Sequence, residues 1–276
     1  MVLQMQQSQT RALARRWLPP AMQDILRRCS RHGWRGDYPS WQAAAKACTG
    51  YQDPNIAERV EQAVRRVLAG RAACERDGVV FSEVEPRWPV LALLLRAAAV
   101  DGRLSVVDVG GSLGSTWLQH RAAWSGIPGM QWTVVEQPEF VRRGQALFPQ
   151  GPLTFRASLD QAWEAQPNVV LLSAVLHYLP EPHRVLADII ARKPDWIIID
   201  RTPTWRQGRD RITVQRVPPR IYPASYPSWV FSRTRLEAAW AGQYGIEQVF
   251  DGLDRSGLAG VDFLGWGLRR VFGVQG

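Results

Sequence analysis

Three glycines crowd a short stretch, Gly110, Gly111 and Gly114 of "VVDVGGSLGS", between an apolar run and a helical pattern. Two chemistries use such a stretch. A strand, a glycine turn and a helix can hold a nucleotide-like ligand, because glycine lets the backbone turn sharply and approach the ligand closely. The helix start adds a partial positive potential. The same residues also spell G-x-S-x-G at Gly110, Ser112 and Gly114, the pattern of an elbow that presents a nucleophilic serine. That elbow needs a histidine base late in the chain, and the four histidines are His32, His120, His177 and His183, with none further on. It also needs an earlier strand to supply an oxyanion loop, and no strand pattern precedes the turn. Ser112 is therefore read as a small residue tolerated in a tight turn.

The nucleotide reading explains more residues. Glu136 ends the next apolar run, "MQWTVVE". A carboxylate there can accept both hydrogen bonds of a ribose diol. Glycine turn plus terminal acid suits NAD enzymes and S-adenosylmethionine enzymes alike, and three features separate them. Asp108 lies at the strand end beside the turn, where a pyrophosphate is repelled and a cationic sulfonium or ammonium is welcome. The acid lies farther along than the spacing of about 20 usual for dinucleotide binders. The chain also closes on two strand patterns with no helix between them.

These residues need a scaffold. From residue 104 strand and helix patterns alternate: "LSVVDVG", "STWLQHRAAW", "MQWTVVEQ", "PEFVRRGQALF", "LTFRAS", "LDQAWEAQ", "NVVLLSAV", "PEPHRVLADIIARK" and "DWIIIDRT". Central strands apolar on both faces predict a parallel sheet covered by helices. Right-handed crossovers then put the carboxyl ends of the strands on one rim, where ligands bind. "IEQVFDGL" and "VDFLGWGLRRVF" predict a final antiparallel pair, after a helix "TRLEAAWAGQYG" with Thr234 and Glu237 in capping-box register. Residues 202–230 are proline-rich and aromatic without clear periodicity, the pattern of a lid. Upstream, 37–102 reads as a helical cap. Ser40 caps a first helix, Ile56, Val60, Val64, Val67 and Leu68 line one face of a second, and a third opens at Pro89 and closes at Gly102.

On that rim, His177 follows the fourth strand and can titrate near neutrality, so it is the candidate base. Asp200 and Arg201 end the fifth strand. Asp200 could orient His177 or the acceptor, and Arg201 could bind an acidic sugar or phosphate. Tyr222 and Tyr226 could stack on a sugar ring or simply pack. His183 is read as a surface residue.

The stretch from 104 to 270 resembles the class I S-adenosylmethionine-dependent methyltransferases, and the resemblance extends upstream. "WRGDYPSWQAAAKACTGYQDPNIAERV", "VVDVGGSLGS" and "SAVLHYLPEP" together resemble a family of uncharacterised methyltransferases encoded among bacterial surface-polysaccharide genes. The resemblance implies an α/β, Rossmann-like sheet of seven strands, the last antiparallel, with S-adenosylmethionine as cofactor. It implies that Asp108, Gly110, Gly111 and Gly114 line the methionine part and Glu136 holds the ribose. Ser158, Leu159 or Asp160 would border the adenine, and Ser173 with Ala174 would close the site. Ser112 replaces a glycine of the commoner G-x-G-x-G turn. The implied reaction is O-methylation of a glycan, a nucleotide sugar or a related small molecule. An NAD-dependent oxidoreductase or epimerase is an alternative, but it wants a Tyr/Lys pair and the chain has only Lys46 and Lys193. A non-catalytic module in a glycan assembly complex is another.

Composition sets the remaining bounds. All but two of the 34 lysines and arginines are arginine, and the net charge is +9. Seven arginines face Asp24 alone within residues 1–36, so a basic leader is expected, solvated or in peripheral contact with a membrane surface. No partner nucleic acid is expected. Cys29, Cys48 and Cys74 show no metal or redox spacing, so reduced thiols, a cytoplasmic setting and no bound metal are expected.

Overall fold

The computed structural model describes residues 33–49, 54–124, 126–217 and 224–271. Most of the basic leader and Tyr222 lie outside the described residues.

The upstream segment is less helical than expected. Gly33–Tyr38 forms β1, so residues 33–36, read as leader, are strand. Helix α1, Trp41–Lys46, is capped by Ser40, whose Oγ accepts from the Ala43 amide at 3.1 Å. Helix α2, Pro54–Leu68, buries Ile56, Val60, Val64 and Val67 at helical spacing, while Leu68, at the helix end, is exposed. A hairpin then interrupts the helices: β2, Cys74–Arg76, pairs with β3, Val79–Phe81. Asp77 and Gly78 turn it with φ of 52° and 74°. Two positive φ values fit the right-handed twist of a two-residue hairpin, and Asp-Gly is the pair that adopts them at least cost. Helix α3, Trp88–Asp101, carries Pro89 in its first turn and ends at Gly102 in the left-handed region, as expected.

The core is a sheet between two helical layers. Strands β4 (Ser105–Val109), β5 (Gln131–Val135), β6 (Leu153–Arg156), β7 (Val169–Ser173) and β8 (Trp196–Trp205) pair in parallel. Beyond β8 lies β12 (Val261–Arg270), antiparallel to it, and then β11 (Tyr244–Asp251). The order β6-β5-β4-β7-β8-β12-β11 is the seven-stranded sheet with its last strand antiparallel. Alternate residues of the central strands feed opposite layers. Val106, Leu171 and Ile198 pack with α2 and α3. Val107, Leu172 and Ile199 pack on the other side with Leu186, Ile189 and Ile190 of α8, Pro182–Ala191. The connections between strands are α4 (Ser115–Gln119), α5 (Arg121–Trp124), α6 (Pro138–Leu147), α7 (Leu159–Trp163) and α8.

The expected lid over 202–230 is mostly sheet. β8 continues to Trp205, and β9 (Arg211–Arg216) and β10 (Ser225–Ser232) form an antiparallel hairpin. β10 joins the end of β8 in parallel at Phe231 and Ser232, and β1 closes the far edge against β9. Pro203 and Pro227 sit inside strands here, where proline ordinarily argues against one. The following helix α9, Arg233–Ala238, is capped by Ser232 rather than Thr234. Glu237 pairs with Arg233 and accepts from the Trp266 indole instead of closing a capping box.

Candidate functional site

The glycine turn leaves β4 with Gly110, Ser112 and Gly114 at φ of 70°, 57° and 84°. Only glycine adopts that region without penalty, so Ser112 holds a strained conformation. Each glycine is also required by packing. A Cβ on Gly110 would stand 2.4 Å from Val175 Cγ2, one on Gly111 2.5 Å from Asp108 Oδ2, and one on Gly114 2.8 Å from Leu153 Cδ2. Helix α4 is only five residues long, so the potential expected at its start is weaker than a full helix would give.

Two carboxylates flank the turn. Asp108 is buried directly beneath Gly111, and the Trp132 indole donates to its Oδ2 at 3.2 Å. Burial pushes its pKa up to about 7, against the pull of that indole. Glu136 ends β5 beside the turn. Its Oε1 accepts from the Ser112 amide at 3.3 Å and its Oε2 from the Gln137 amide at 2.8 Å. Burial raises its pKa as well. Each carboxylate oxygen has a second lone pair, so Glu136 retains acceptor capacity for a diol. A third carboxylate arrives from the β2–β3 hairpin. Glu75, buried and pushed by burial to about 7, accepts from Ser115 Oγ at the start of α4 and from the Gly78 amide.

Beyond β6, Ser158 caps α7, accepting from the Gln161 amide at 3.3 Å. Leu159 packs into the second core, and the Asp160 side chain is tied to Arg192. Ser173 and Ala174 lead off β7, with Ala174 at φ 54°. Ser173 Oγ lies 3.4 Å from Asp200 Oδ2.

Asp200 does not orient His177. Arg87, at the start of α3, grips it with a fork: Nη2 to Oδ1 at 2.7 Å and Nε to both oxygens at 3.1 Å. Arg201 does not stand open for an acid either. It adopts φ 56°, and its Nε and Nη2 meet Asp254 Oδ2 and Oδ1 at 2.5 and 3.2 Å. Burial pushes the Asp254 carboxyl up, but Arg201 outweighs it and the net shift is downward.

His177 is buried against the rings of Tyr178 and Phe263, with centroids 3.9 and 6.1 Å away. Its Nδ1 has no partner among the described residues. Burial lowers its pKa to about 3; Asp254 opposes that shift and Arg201 adds to it. The imidazole is therefore neutral at physiological pH, and it is a weaker base than the rim histidine titrating near neutrality that the sequence led us to expect. Tyr226 on β10 packs edge-on against Tyr178, whose hydroxyl donates to Gln215 Oε1 at 2.5 Å. Trp229 faces the opposite side of that strand. There His183, bonded to Asp210 at 2.7 Å, borders a separate cavity of about 550 Å³.

The structure brings Gly110, Val175, Ala174, Asp200, Arg201 and His177 to one rim. Sequence reasoning missed Arg87, Asp254, Glu75 and Trp132. Only the Asp-Gly turn of "CERDGVVF" was a readable signal, and it marks the hairpin that carries Glu75.

No protein-family description matches this chain, and no curated protein matches it. Solved structures do. The N-terminal domain of EvdMO1, solved with S-adenosylhomocysteine and D-fucose, is 17% identical over 80% of this chain and 100% of that one, with a TM-score of 0.48. A 1,6-didemethyltoxoflavin N1-methyltransferase of Burkholderia thailandensis is 19% identical over 81% and 93% of the two chains, at 0.40. The cyclase SpnF is 14% identical over 88% and 100%, at 0.48.

Proposed function

We propose that this chain is an S-adenosylmethionine-dependent methyltransferase that methylates a hydroxyl of a glycan, a nucleotide sugar or a related small molecule. The observation that carries the reading is the pair of carboxylates around the glycine turn. Glu136 is fixed by two backbone amides at the end of β5 with lone pairs to spare, and Asp108 lies under a turn whose glycines tolerate no side chain. This donor set fits the cofactor. It offers acceptors for a ribose diol and negative charge for a cationic sulfur, and no lysine or arginine of the turn awaits a pyrophosphate.

When bound, the cofactor supplies an activated methyl group. Glu136 holds the ribose, the 110–114 backbone cradles the methionine part, and Asp108 contributes negative charge from below. Ser158 and Leu159 border the adenine, while Asp160 serves α7 through Arg192. His177 and Arg201 stand on the acceptor side. Positioning and exclusion of water then supply most of the acceleration.

Calorimetric titration of the full chain with S-adenosylhomocysteine and with NAD tests this. Micromolar affinity for the former, lost in Glu136→Ala, is expected. Heat with NAD alone would overturn it.

A further inference from the structure

Among the described residues, two part-buried ion pairs stand at the acceptor rim. Arg87 forks onto Asp200, and Arg201 is bidentate to Asp254. From the β2–β3 hairpin, the charge of Arg76 acts on Asp254 and that of Asp77 on Arg201. The buried imidazole of His177 feels both members of the Arg201–Asp254 pair, and its Nδ1 has no partner among the described residues. An anionic acceptor would meet Arg201 already held by Asp254, and a cationic one would meet Asp254 already held by Arg201. Groups with uncommitted capacity do remain. They are the guanidinium N–H groups of Arg201 that Asp254 does not take, the second lone pairs of Asp254, and His177 Nδ1. Donors beside acceptors suit a hydroxyl, which donates and accepts at once. The ring edges of Phe263, Tyr178 and Tyr226 supply an apolar wall.

Resting on the methyltransferase reading, we propose that the moiety seated at this rim is an uncharged, hydroxyl-bearing ring, hydrogen-bonded by His177 and by the Arg201–Asp254 pair acting as one neutral unit. Arg201 is thereby a specificity residue against acids rather than for them, because an acid must break the Asp254 pair before it can bind.

The test uses the full chain and begins with S-adenosylhomocysteine affinity, whose absence would sink the cofactor reading and not this one. Matched methyl glycosides, uronic acids and sugar phosphates are then offered with S-adenosylmethionine, and release of S-adenosylhomocysteine is measured. At least one neutral glycoside should turn over at least tenfold faster than its acidic counterpart. Asp254→Asn, which leaves Arg201 unmatched, should shift that preference about tenfold toward acids. In a cofactor-free readout, inorganic phosphate should bind Asp254→Asn at least tenfold more tightly than wild type. Should that variant fail to fold, Arg201→Gln inverts the imbalance and should shift preference tenfold toward glucosamine. Wild-type preference for acids, no turnover of any neutral ring despite S-adenosylhomocysteine binding, or a preference unmoved by either substitution would overturn the proposal.

Discussion

If Asp108 contributes its charge to the cofactor, cofactor affinity must follow the ionisation of Asp108. Its carboxyl is buried beneath Gly111 with the Trp132 indole as its hydrogen-bond partner, and its pKa stands at about 7. Roughly one tenth of the free protein then carries the ionised form at pH 6, and roughly nine tenths at pH 8. If the cation of S-adenosylmethionine selects that form, its Kd tightens about tenfold across this range, or about 1.4 kcal/mol. Binding near pH 6 should release close to one proton, which is countable by calorimetry in buffers of different ionisation enthalpy. Asp108→Asn keeps the shape and removes the titration, so its Kd should vary little over the same range. Glu136 is also raised, but it is unchanged in that variant, so the comparison isolates Asp108. The same carboxyl bears on stability. Its folded pKa lies above its ordinary value of 3.8, so the free protein loses stability as pH rises from that value to about 7. Asp108→Asn should therefore unfold at an equal or higher temperature than wild type at pH 8. A pH slope in Kd as steep in Asp108→Asn as in wild type would refute the argument.

Further outcomes can be stated from the same contacts. Gly111→Ala drives a methyl group to within 2.5 Å of Asp108 Oδ2, so calorimetry should show S-adenosylhomocysteine affinity weakened about 100-fold or more, a loss of about 3 kcal/mol. Arg87→Leu strands the buried Asp200 carboxylate and should cost about 3–5 kcal/mol in denaturant unfolding, with Asp200→Asn in the same background recovering much of it. His177 has a folded pKa of about 3 against an ordinary 6.5, so the unfolded chain takes up a proton between those values and the folded protein does not. Stability should then fall on acidification from pH 6.5 by up to about 1.4 kcal/mol per pH unit, and His177→Phe should flatten that slope in urea titrations at pH 7 and 5.

Local pattern carried the sheet. Runs such as "NVVLLSAV" and "DWIIIDRT" are apolar on both faces because both faces are covered, and a two-sided core is legible in one strand at a time. The glycine turn and Glu136 were legible for a related reason, since both stand at the ends of such runs. The strands within 202–230 were hidden by prolines. Pro203 near the end of β8 and Pro227 in β10 break the propensity signal of a strand, while Pro203 takes its register from Phe263 far along the chain and Pro227 from Val214 across the hairpin. Thr234 looked like the cap because its spacing to Glu237 is right, but Ser232 ends β10 already extended and so presents its hydroxyl to the helix start first.

The roles of the rim residues were hidden by a different cause. A sequence shows which side chains carry charge, but function at the rim depends on which charges are left over after pairing. Asp200 and Arg201 are adjacent, and each is satisfied from a remote segment, by Arg87 from the start of α3 and by Asp254 from the loop before β12. Neither remote partner stands out, because an arginine before a helix and an aspartate in "DGLDRSGLAG" look like ordinary solvated residues. Burial reverses the expectation for His177 in the same way: a rim position suggests a base near neutrality, and desolvation moves it far below. The charge balance at the rim therefore rests on the segments outside the parallel sheet. The segment leading into α3 and the loop before β12 supply the matching charges, so exchanging the latter, which carries Asp254, should change acceptor choice while the glycine turn keeps its cofactor affinity.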